Sequence, residues 1–297
     1  MTRLDLLNKI ALGGMIFLTV LLVSNRLVGA WPNEQVEPEQ HFADPYKQVS
    51  LIAKAAIVYD PEGNQVLFAK NESTPLPLAS LTKVMTALVG SELEEASEKY
   101  VSIQAEALAT EGDSGLSRDE VWSLSKLIDF TLVSSSNDGA AAIAALAGSE
   151  QTFVELMNQS ALKMGLEQTK FYNPTGLDLG PGVPGAYGSA FDVARLFAYV
   201  LKNEPEALSA TSASSLPITS SSNISHLAVN TNELAGKLPG LFASKTGFTD
   251  TAGGNLAVAV DAGLNQPLII VVLGSTEPGR FADVAALAAA AILDKQH

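Results

Sequence analysis

The sequence predicts an α+β protein with one mainly antiparallel sheet, which both ends of the folded body complete, and a helical lobe between them. Strand patterns occur at both ends of the body, and helical spacing fills the middle. The hydrophobic content of 47% is enough for a sizeable core, so bulk disorder is excluded. Sites in such folds tend to lie in a cleft. We therefore expect the functional site where the sheet meets the helical lobe.

The first 30 residues predict export of the chain. Two cations precede an apolar run over residues 10–23, which is short for a membrane span and suits the core of a signal peptide. Ala30 suits cleavage after it. In the alternative, an apolar helix over residues 10–28 is retained as a membrane anchor, with Arg26 reaching towards the membrane surface. Both interpretations place the rest of the chain outside the cytoplasm.

A polar linker and a hairpin follow. Residues 31–48 are polar, acidic and contain three prolines, which predicts a solvated spacer before a folded body at residues 49–297. Residues 51–59 are rich in apolar and β-branched side chains, residues 60–64 are typical of a turn, and residues 65–70 alternate. This pattern predicts a β-hairpin at the start of the body.

The remaining elements follow from periodicity and from turn residues. Helical spacing predicts helices over residues 81–93, 123–133, 139–146, 150–164 and 190–201. Glycine and proline predict a loop over residues 173–187, whereas the Ser/Thr-rich residues 209–225 are ambiguous. Strands are predicted over residues 241–248, 255–261 and 268–273, and a last helix over residues 280–295. The alanines of that helix suit packing on a sheet, and membrane insertion is the alternative.

Composition excludes several function classes. The 18 Lys+Arg against 32 Asp+Glu give a net charge of −14, so nucleic-acid binding is not expected. The absence of cysteine removes disulfides, thiolate nucleophiles and cysteine-bound zinc. The three histidines, His41, His226 and His297, leave little for a Ser-His-Asp triad or a zinc site. We expect no metal or cofactor, and a hydrolase built on this chain would use a base other than histidine.

Three S-x-x-K tetrads supply one candidate for such a base. Residues i and i+3 share a helix face, so a lysine amine reaches the serine hydroxyl one turn earlier. Ser80 follows a proline-broken loop and opens a helix, and Lys83 has apolar neighbours that would lower its pKa by desolvation. The tetrads 123–126 and 160–163 lie within amphipathic stretches with charged neighbours. We take Ser80 and Lys83 as the functional pair.

Two further motifs follow along the chain. Ser135-Ser136-Asn137 separates two predicted helices, so its side chains would project from a loop, although helix caps are the alternative. A second S-x-N, residues 221–223, lies in the serine-rich stretch and is interpreted as plain loop. Lys245-Thr246-Gly247 is the one K-T-G, in a strand predicted near the sheet edge. Its glycine allows close backbone approach, and its lysine and threonine can bind a carboxylate.

The ordered motifs S-x-x-K, S-x-N and K-T-G are the signature of active-site-serine penicillin-binding proteins and class A β-lactamases. Further segments resemble the D-alanyl-D-alanine carboxypeptidases, the low-molecular-mass penicillin-binding proteins: 55–60, 79–88, 132–142, 153–158, 173–177 and 245–253. The resemblance covers about residues 49–294. It implies a β-lactamase/transpeptidase-like fold with an antiparallel sheet flanked by helices, an all-helical lobe and the active site in the cleft.

The resemblance implies catalytic roles for four side chains. Ser80 would be the acylated nucleophile and Lys83 its proton acceptor. Ser135 would relay a proton to the leaving amine, and Asn137 would hold Lys83 and a substrate amide. The backbone N–H groups of Ser80 and Phe248 would form the oxyanion hole.

Substrate-binding roles are implied for the later motif. Lys245 and Thr246 would bind the terminal carboxylate, beside Gly247 and Phe248. Arg280 resembles a carboxylate-side arginine of relatives, and a surface residue at a helix start is the alternative.

The resemblance implies a serine D,D-carboxypeptidase. It would remove the terminal D-alanine from peptidoglycan stem peptides through an acyl-serine, and β-lactam antibiotics would inhibit it. Alternatives are a D,D-endopeptidase, a β-lactamase or a non-catalytic wall-binding protein. The glutamate-bearing loop of class A β-lactamases is not found, since Glu155 lies inside a predicted helix, which disfavours fast penicillin hydrolysis. The chain stops about 50 residues after Gly247, so we expect membrane contact only through the N-terminal segment.

Overall fold

The computed structural model describes residues 44–96, 100–112, 114–263 and 265–296. The expected leader, residues 1–30, and most of the expected linker, residues 31–48, lie outside the described residues. Tyr46, at the end of that linker segment, is buried, and its ring lies 5.5 Å from that of Phe68. The packed unit therefore starts a few residues before the expected boundary at residue 49, because this aromatic contact removes apolar surface from water.

The element bounds are as follows. The strands are β1 (Ala55–Asp60), β2 (Gln65–Lys70), β3 (Leu76–Pro77), β4 (Tyr100–Ser102), β5 (Val121–Ser123), β6 (Lys170–Phe171), β7 (Ala186–Gly188), β8 (Ser215–Thr219), β9 (Ser225–Val229), β10 (Leu241–Thr249), β11 (Gly253–Asp261) and β12 (Pro267–Ser275). The α-helices are α1 (Thr82–Ala96), α2 (Ala105–Leu108), α3 (Leu124–Ser134), α4 (Asn137–Ala144), α5 (Glu150–Lys163), α6 (Ala190–Asn203) and α7 (Gly279–Asp294). Short 3-10 helices cover Ala79–Leu81, Ala145–Ala147 and Pro205–Ser212.

A five-stranded sheet joins the two ends of the described chain, in the order β10-β11-β12-β1-β2. Each neighbouring pair is antiparallel. Successive side chains of a strand point to opposite faces, and here both faces are apolar. In β1, Ala55 and Ile57 join the core beneath the helical lobe, whereas Ala56 and Val58 join the core beneath α7. The predicted antiparallel sheet is confirmed, with both of its faces buried.

Helix α7 covers one face of the sheet. Leu287, Ala288 and Ala291 are fully buried against Val258 and Ile270. Small alanines allow the helix to lie close to the strands, as the sequence predicts. Within the described residues, we find no helix that combines the length and apolarity needed to cross a bilayer.

The helical lobe covers the other face. Its core includes the fully buried side chains of Trp122, Phe130 and Phe153. Helix α3 ends at Ser134, and Ser135 takes a left-handed conformation with φ of 61°. Ser136 then caps α4 by accepting a hydrogen bond from the Gly139 N–H. The predicted break between two helices is confirmed, although the second helix begins at Asn137 and not at residue 139.

The ambiguous Ser/Thr-rich residues 209–225 end the 3-10 helix Pro205–Ser212 and then form β8 and the turn of the β8–β9 hairpin. Each strand of this hairpin buries a single hydrophobic residue, Ile218 in β8 and Ala228 in β9. The alternation of apolar and polar residues that predicts a strand is therefore weak here. The second S-x-N lies in the turn between the two strands, as interpreted from the sequence. His226 on β9 lies 2.7 Å from a carboxylate oxygen of Glu120, and this pair ties the hairpin to the helical lobe.

Candidate active site

The K-T-G motif lies on β10, an edge strand of the five-stranded sheet, as predicted. A side chain at Gly247 would place its Cβ 2.8 Å from the Leu78 carbonyl oxygen and 3.2 Å from the Ser80 nitrogen. The first distance is shorter than Cβ atoms approach a backbone oxygen, and the second is tight, so a side chain here would force the two segments apart. Glycine therefore lets the strand lie directly against the backbone that carries Ser80.

The backbone before Ser80 is strained and held by a buried side chain. Ala79 adopts φ of 49°, a left-handed conformation that is unfavourable for residues other than glycine. Asn255 on β11 donates from its Nδ2 to the carbonyls of Pro77 at 2.9 Å and Leu78 at 3.1 Å. The sheet thus fixes the turn that presents Ser80. No motif in the sequence pointed to Asn255.

Lys83 is fully buried, and its amine has three oxygen neighbours. Its Nζ lies 2.8 Å from Ser80 Oγ, 2.7 Å from Asn137 Oδ1 and 2.8 Å from the Thr175 carbonyl oxygen. Burial lowers the pKa of Lys83 to about 7. A neutral amine has two protons and one lone pair. The two carbonyl-type oxygens can only accept, so they take the protons and leave the lone pair for the Ser80 hydroxyl.

The loop after β6 supplies one of these acceptors, which sequence reasoning missed. The Thr175 carbonyl binds Lys83, and the neighbouring Pro174 carbonyl accepts a hydrogen bond of 2.6 Å from Thr86 on α1. At Gly176, with φ of 81°, a Cβ would lie 1.9 Å from the Ala79 carbonyl oxygen. Residues 173–177 stand out in the sequence only through the family resemblance, because backbone acceptors have no residue signature.

Asn137 is held in one orientation. Its Oδ1 accepts from Lys83, while its Nδ2 donates 2.7 Å to the carbonyl of Glu111. The second Nδ2 proton is available to a ligand. The side chain therefore combines a contact to the base with a free donor.

Lys245 joins the K-T-G strand to the S-x-N loop. Its Nζ donates 2.8 Å to Ser135 Oγ and 2.9 Å to the Thr246 carbonyl. Burial, followed by the positive charges of Lys83 and Arg280, holds the pKa of Lys245 well below its usual range. An anionic ligand would offset this repulsion and favour the charged amine.

Arg280 lies behind the same strand. Its Nη1 donates 3.0 Å to the Gly247 carbonyl, and its guanidinium stacks 4.8 Å from the Phe281 ring centroid. The alternative of a surface residue is therefore wrong, because the side chain is buried. Phe248, by contrast, is 42% exposed beside a cavity of about 680 Å³ that Glu111, Asp178 and Thr249 also line.

The other motif copies lie elsewhere. Ser123 ends β5, and Lys126 donates to the Thr219 carbonyl. Ser160 is buried within α5, and Lys163 of that tetrad is exposed. Glu155 is an exposed residue of α5, as expected from its helical position. Among the described residues, no cluster of three His, Cys, Asp or Glu side chains could hold a metal ion.

A family model described as D-alanyl-D-alanine carboxypeptidase matches residues 41–277. The chain belongs to this family. The D-alanyl-D-alanine carboxypeptidase DacF of Bacillus subtilis is 32% identical over 232 residues, which cover 76% of this chain and 58% of that relative. DacB2 of Mycobacterium tuberculosis is 30% identical over 228 residues, which cover 76% of this chain and 77% of that relative. The chain thus spans little more than half the length of the first of these carboxypeptidases.

Solved structures of penicillin-binding proteins and D-alanyl-D-alanine carboxypeptidases superpose on most of this chain. Penicillin-binding protein D2 of Listeria monocytogenes in its cefotaxime-bound form superposes with a TM-score of 0.70 at 28% identity, covering 81% of this chain and 97% of that one. The expected penicillin-binding protein fold, with sheet and helical lobe, is confirmed.

Proposed function

We propose that this member of the carboxypeptidase family is a serine D,D-carboxypeptidase that removes the terminal D-alanine from peptidoglycan stem peptides. The observation that carries the proposal is the environment of Lys83. Its buried amine lies 2.8 Å from Ser80 Oγ, with its protons directed to two oxygens that cannot donate. That arrangement prepares a neutral base for a hydroxyl nucleophile.

Acylation begins when Ser80 transfers its hydroxyl proton to Lys83. Its Oγ then forms a bond to the carbonyl carbon of the last peptide bond. The oxyanion accepts hydrogen bonds from the backbone N–H groups of Ser80 and Phe248, an arrangement that typically stabilises a transition state by about 3–4 kcal/mol. The contact of Gly247 with the Ser80 backbone supports this role, because it brings the two segments together.

Ser135 delivers the proton that releases D-alanine. Lys245 donates to Ser135 Oγ, which leaves the hydroxyl proton of Ser135 free for the leaving amine. As the C–N bond breaks, this proton goes to the nitrogen, and the proton held by Lys83 restores the hydroxyl of Ser135. Water then hydrolyses the acyl-Ser80 ester.

The terminal carboxylate binds at Lys245 and Thr246. Arg280 contributes positive charge there and fixes the Gly247 carbonyl. The acyl-donor peptide extends along the open edge of β10 past Phe248, as an added strand. β-Lactams would acylate Ser80 in the same way, a proposal supported by the cefotaxime-bound form of the Listeria relative.

The proposed substrate lies outside the cytoplasm, so residues 49–297 would act there as the catalytic domain. Residues 1–30 would direct export, either as a cleaved signal peptide or as an anchor over residues 10–28. Residues 31–48 would space the domain from the membrane. This segment would supply the membrane contact of the protein.

Labelling by a fluorescent penicillin tests the proposed nucleophile. We expect the wild type and Ser123→Ala to be labelled equally and Ser80→Ala to stay unlabelled, because the Ser80 hydroxyl lies 2.8 Å from the Lys83 amine, whereas the lysine of the other tetrad, Lys126, donates to the Thr219 carbonyl. Ser123→Ala is the matched control, since it removes the serine of another S-x-x-K tetrad. Equal labelling of Ser80→Ala and wild type would remove Ser80 from its role.

Digestion of muropeptides tests the reaction class. Incubation with pentapeptide muropeptides is expected to release free D-alanine, measured by mass spectrometry. Loss of crosslinked dimers without free D-alanine would instead identify a D,D-endopeptidase.

A further inference from the structure

A threonine that belongs to no motif connects two of the three motif segments. Thr231 follows β9, and its backbone N–H donates 3.3 Å to the carbonyl of Val133, just before the S-x-N loop. Its hydroxyl oxygen lies 2.5 Å from the hydroxyl oxygen of Thr246 in the K-T-G motif. One residue therefore contacts the helical lobe through its backbone and the K-T-G strand through its side chain.

The backbone on either side of Thr231 is held by asparagine side chains. Asn230 donates from its Nδ2 to the carbonyls of Thr211 and Ala213, both at 2.8 Å. Its Oδ1 accepts 2.8 Å from the Asn232 N–H, and Asn232 is itself buried. Thr231 is nevertheless exposed. A fixed hydroxyl on an exposed residue, next to a proposed carboxylate site, is suited to contact a ligand.

Counting protons indicates what this pair of hydroxyls can do. Each threonine hydroxyl carries one proton, and the contact between the two oxygens uses one of them. The other proton remains free, whichever hydroxyl donates within the pair. The Lys245 amine, when charged, also keeps one proton beyond those given to Ser135 and Thr246. An anion beside Thr246 could therefore accept one hydrogen bond from the hydroxyl pair and one from the Lys245 amine.

We propose that Thr231 is a binding residue for the substrate's terminal carboxylate and acts with Thr246 as a paired hydroxyl donor. This inference rests on the proposed function. It assigns part of the preference for a free carboxyl terminus to a residue outside the three motifs. It also explains why the chain holds residues 230–232 so firmly at the mouth of the cleft.

Isosteric substitution separates the hydroxyl from the shape of the side chain. Thr231→Val keeps the shape and loses the donor, and Thr231→Ser keeps the donor. Because a hydrogen bond to a charged group is strong, we expect Thr231→Val to lower the second-order rate constant of acylation by benzylpenicillin by about tenfold or more. Thr231→Ser should recover most of this loss. Thr219→Val, an exposed threonine on β8, is the matched control and should acylate like the wild type.

The carboxylate itself is tested with the methyl ester of benzylpenicillin, its slow acylation followed by intact-protein mass spectrometry. The penalty of Thr231→Val should be several times smaller for the ester than for the free acid. An equal penalty on both compounds, or no penalty on the acid, would overturn the inference. Failure of the wild type to acylate at Ser80 would instead overturn the proposed function, and the inference with it.

Discussion

Two buried lysines lie in one site with different partners. Lys83 has two acceptors and a hydroxyl around it, whereas Lys245 lies between Ser135 and the Thr246 carbonyl. Burial lowers the pKa of both, and the positive charge of Lys83 lowers that of Lys245 further. Repulsion between the amines therefore favours a neutral Lys83 once an anion keeps Lys245 charged.

The pKa of Lys83, lowered to about 7, predicts a pH profile. The amine accepts a proton only when neutral, which is the state above its pKa. The rate constant of penicillin acylation should therefore rise about tenfold per pH unit below pH 7 and level off above it. Stopped-flow acylation between about pH 5.5 and 8.5 measures this. A flat profile would contradict a lysine base.

Substitution of Lys83 by arginine tests the same group. Guanidinium stays protonated, so Lys83→Arg should lose at least about a hundredfold in acylation rate. Lys126→Arg, in another S-x-x-K tetrad, is the control and should retain wild-type rates. Near-normal acylation by Lys83→Arg would rule out the proposed proton path.

At the scale of elements, the site depends on the loop after β6, which packs against the 3-10 helix Ala79–Leu81. The loop between β6 and β7, which ends before the predicted residue 187 because β7 begins at Ala186, brings the Thr175 carbonyl to Lys83 and places Gly176 against Ala79. The strained φ of Ala79 persists because Gly176 on one side and Gly247 on the other leave it little freedom. Local backbone contacts thus decide where Ser80 lies.

Gly176→Ala tests this packing. The added Cβ would meet a backbone carbonyl at 1.9 Å in a left-handed conformation. We expect a loss of about 2–5 kcal/mol in the free energy of unfolding and slower acylation of the molecules that remain folded. Gly180→Ala is the control, because nothing lies within 4 Å of its Cβ position. Urea unfolding and penicillin titration measure both effects, and equal behaviour of the two variants would contradict the packing role.

Segments with a local sequence pattern could be predicted, whereas residues whose role depends on contacts with distant parts of the chain could not. The K-T-G strand and the S-x-N break carry strong local signals, and the structure brings Ser80, Lys83, Ser135, Asn137 and Lys245 together as the motifs predict. The β8–β9 hairpin was ambiguous because serine and threonine suit strands, turns and caps alike. Thr175, Asn255 and Thr231 act through contacts with residues distant in sequence. Such contacts exist only once the chain is folded, so the hydrophobic periodicity of the sequence cannot predict them.

At the scale of the molecule, a buried carboxylate connects the two ends of the described chain. Asp283 on α7 accepts hydrogen bonds of 2.9 Å from the backbone N–H groups of Ile52 and Ala53, and one of 2.6 Å from Ser275. It thereby connects the start of the sheet, its third strand and the last helix. The two N–H groups precede β1, so Asp283 helps to fix the register in which the chain ends meet.

Asp283→Ala should therefore destabilise the whole molecule. The buried Ala53 N–H and Ser275 hydroxyl and the partly buried Ile52 N–H would lose their partner, and we expect a loss of about 2–5 kcal/mol in the free energy of unfolding. The acylation rate of the folded fraction should stay close to that of the wild type, because the three hydrogen bonds that Asp283 accepts come from Ile52, Ala53 and Ser275, which are not site residues. Glu155→Ala, which removes an exposed helical carboxylate, should change neither quantity. A stable Asp283→Ala protein would show that the chain ends are held by other contacts.

The edge position of β10 has a consequence for solubility as well as for catalysis. Unpaired strand edges ordinarily invite other sheets to join them and so promote aggregation. Here the Ser135 hydroxyl lies 2.8 Å from the Lys245 amine, and the Thr231 and Thr246 hydroxyls are in contact, so residues 243–247 of this edge strand are buried. We expect these neighbours to hinder pairing with the edge of a second sheet more than pairing with the single extended peptide of the proposed function. The contacts that would position a substrate peptide would therefore also protect this strand edge from aggregation.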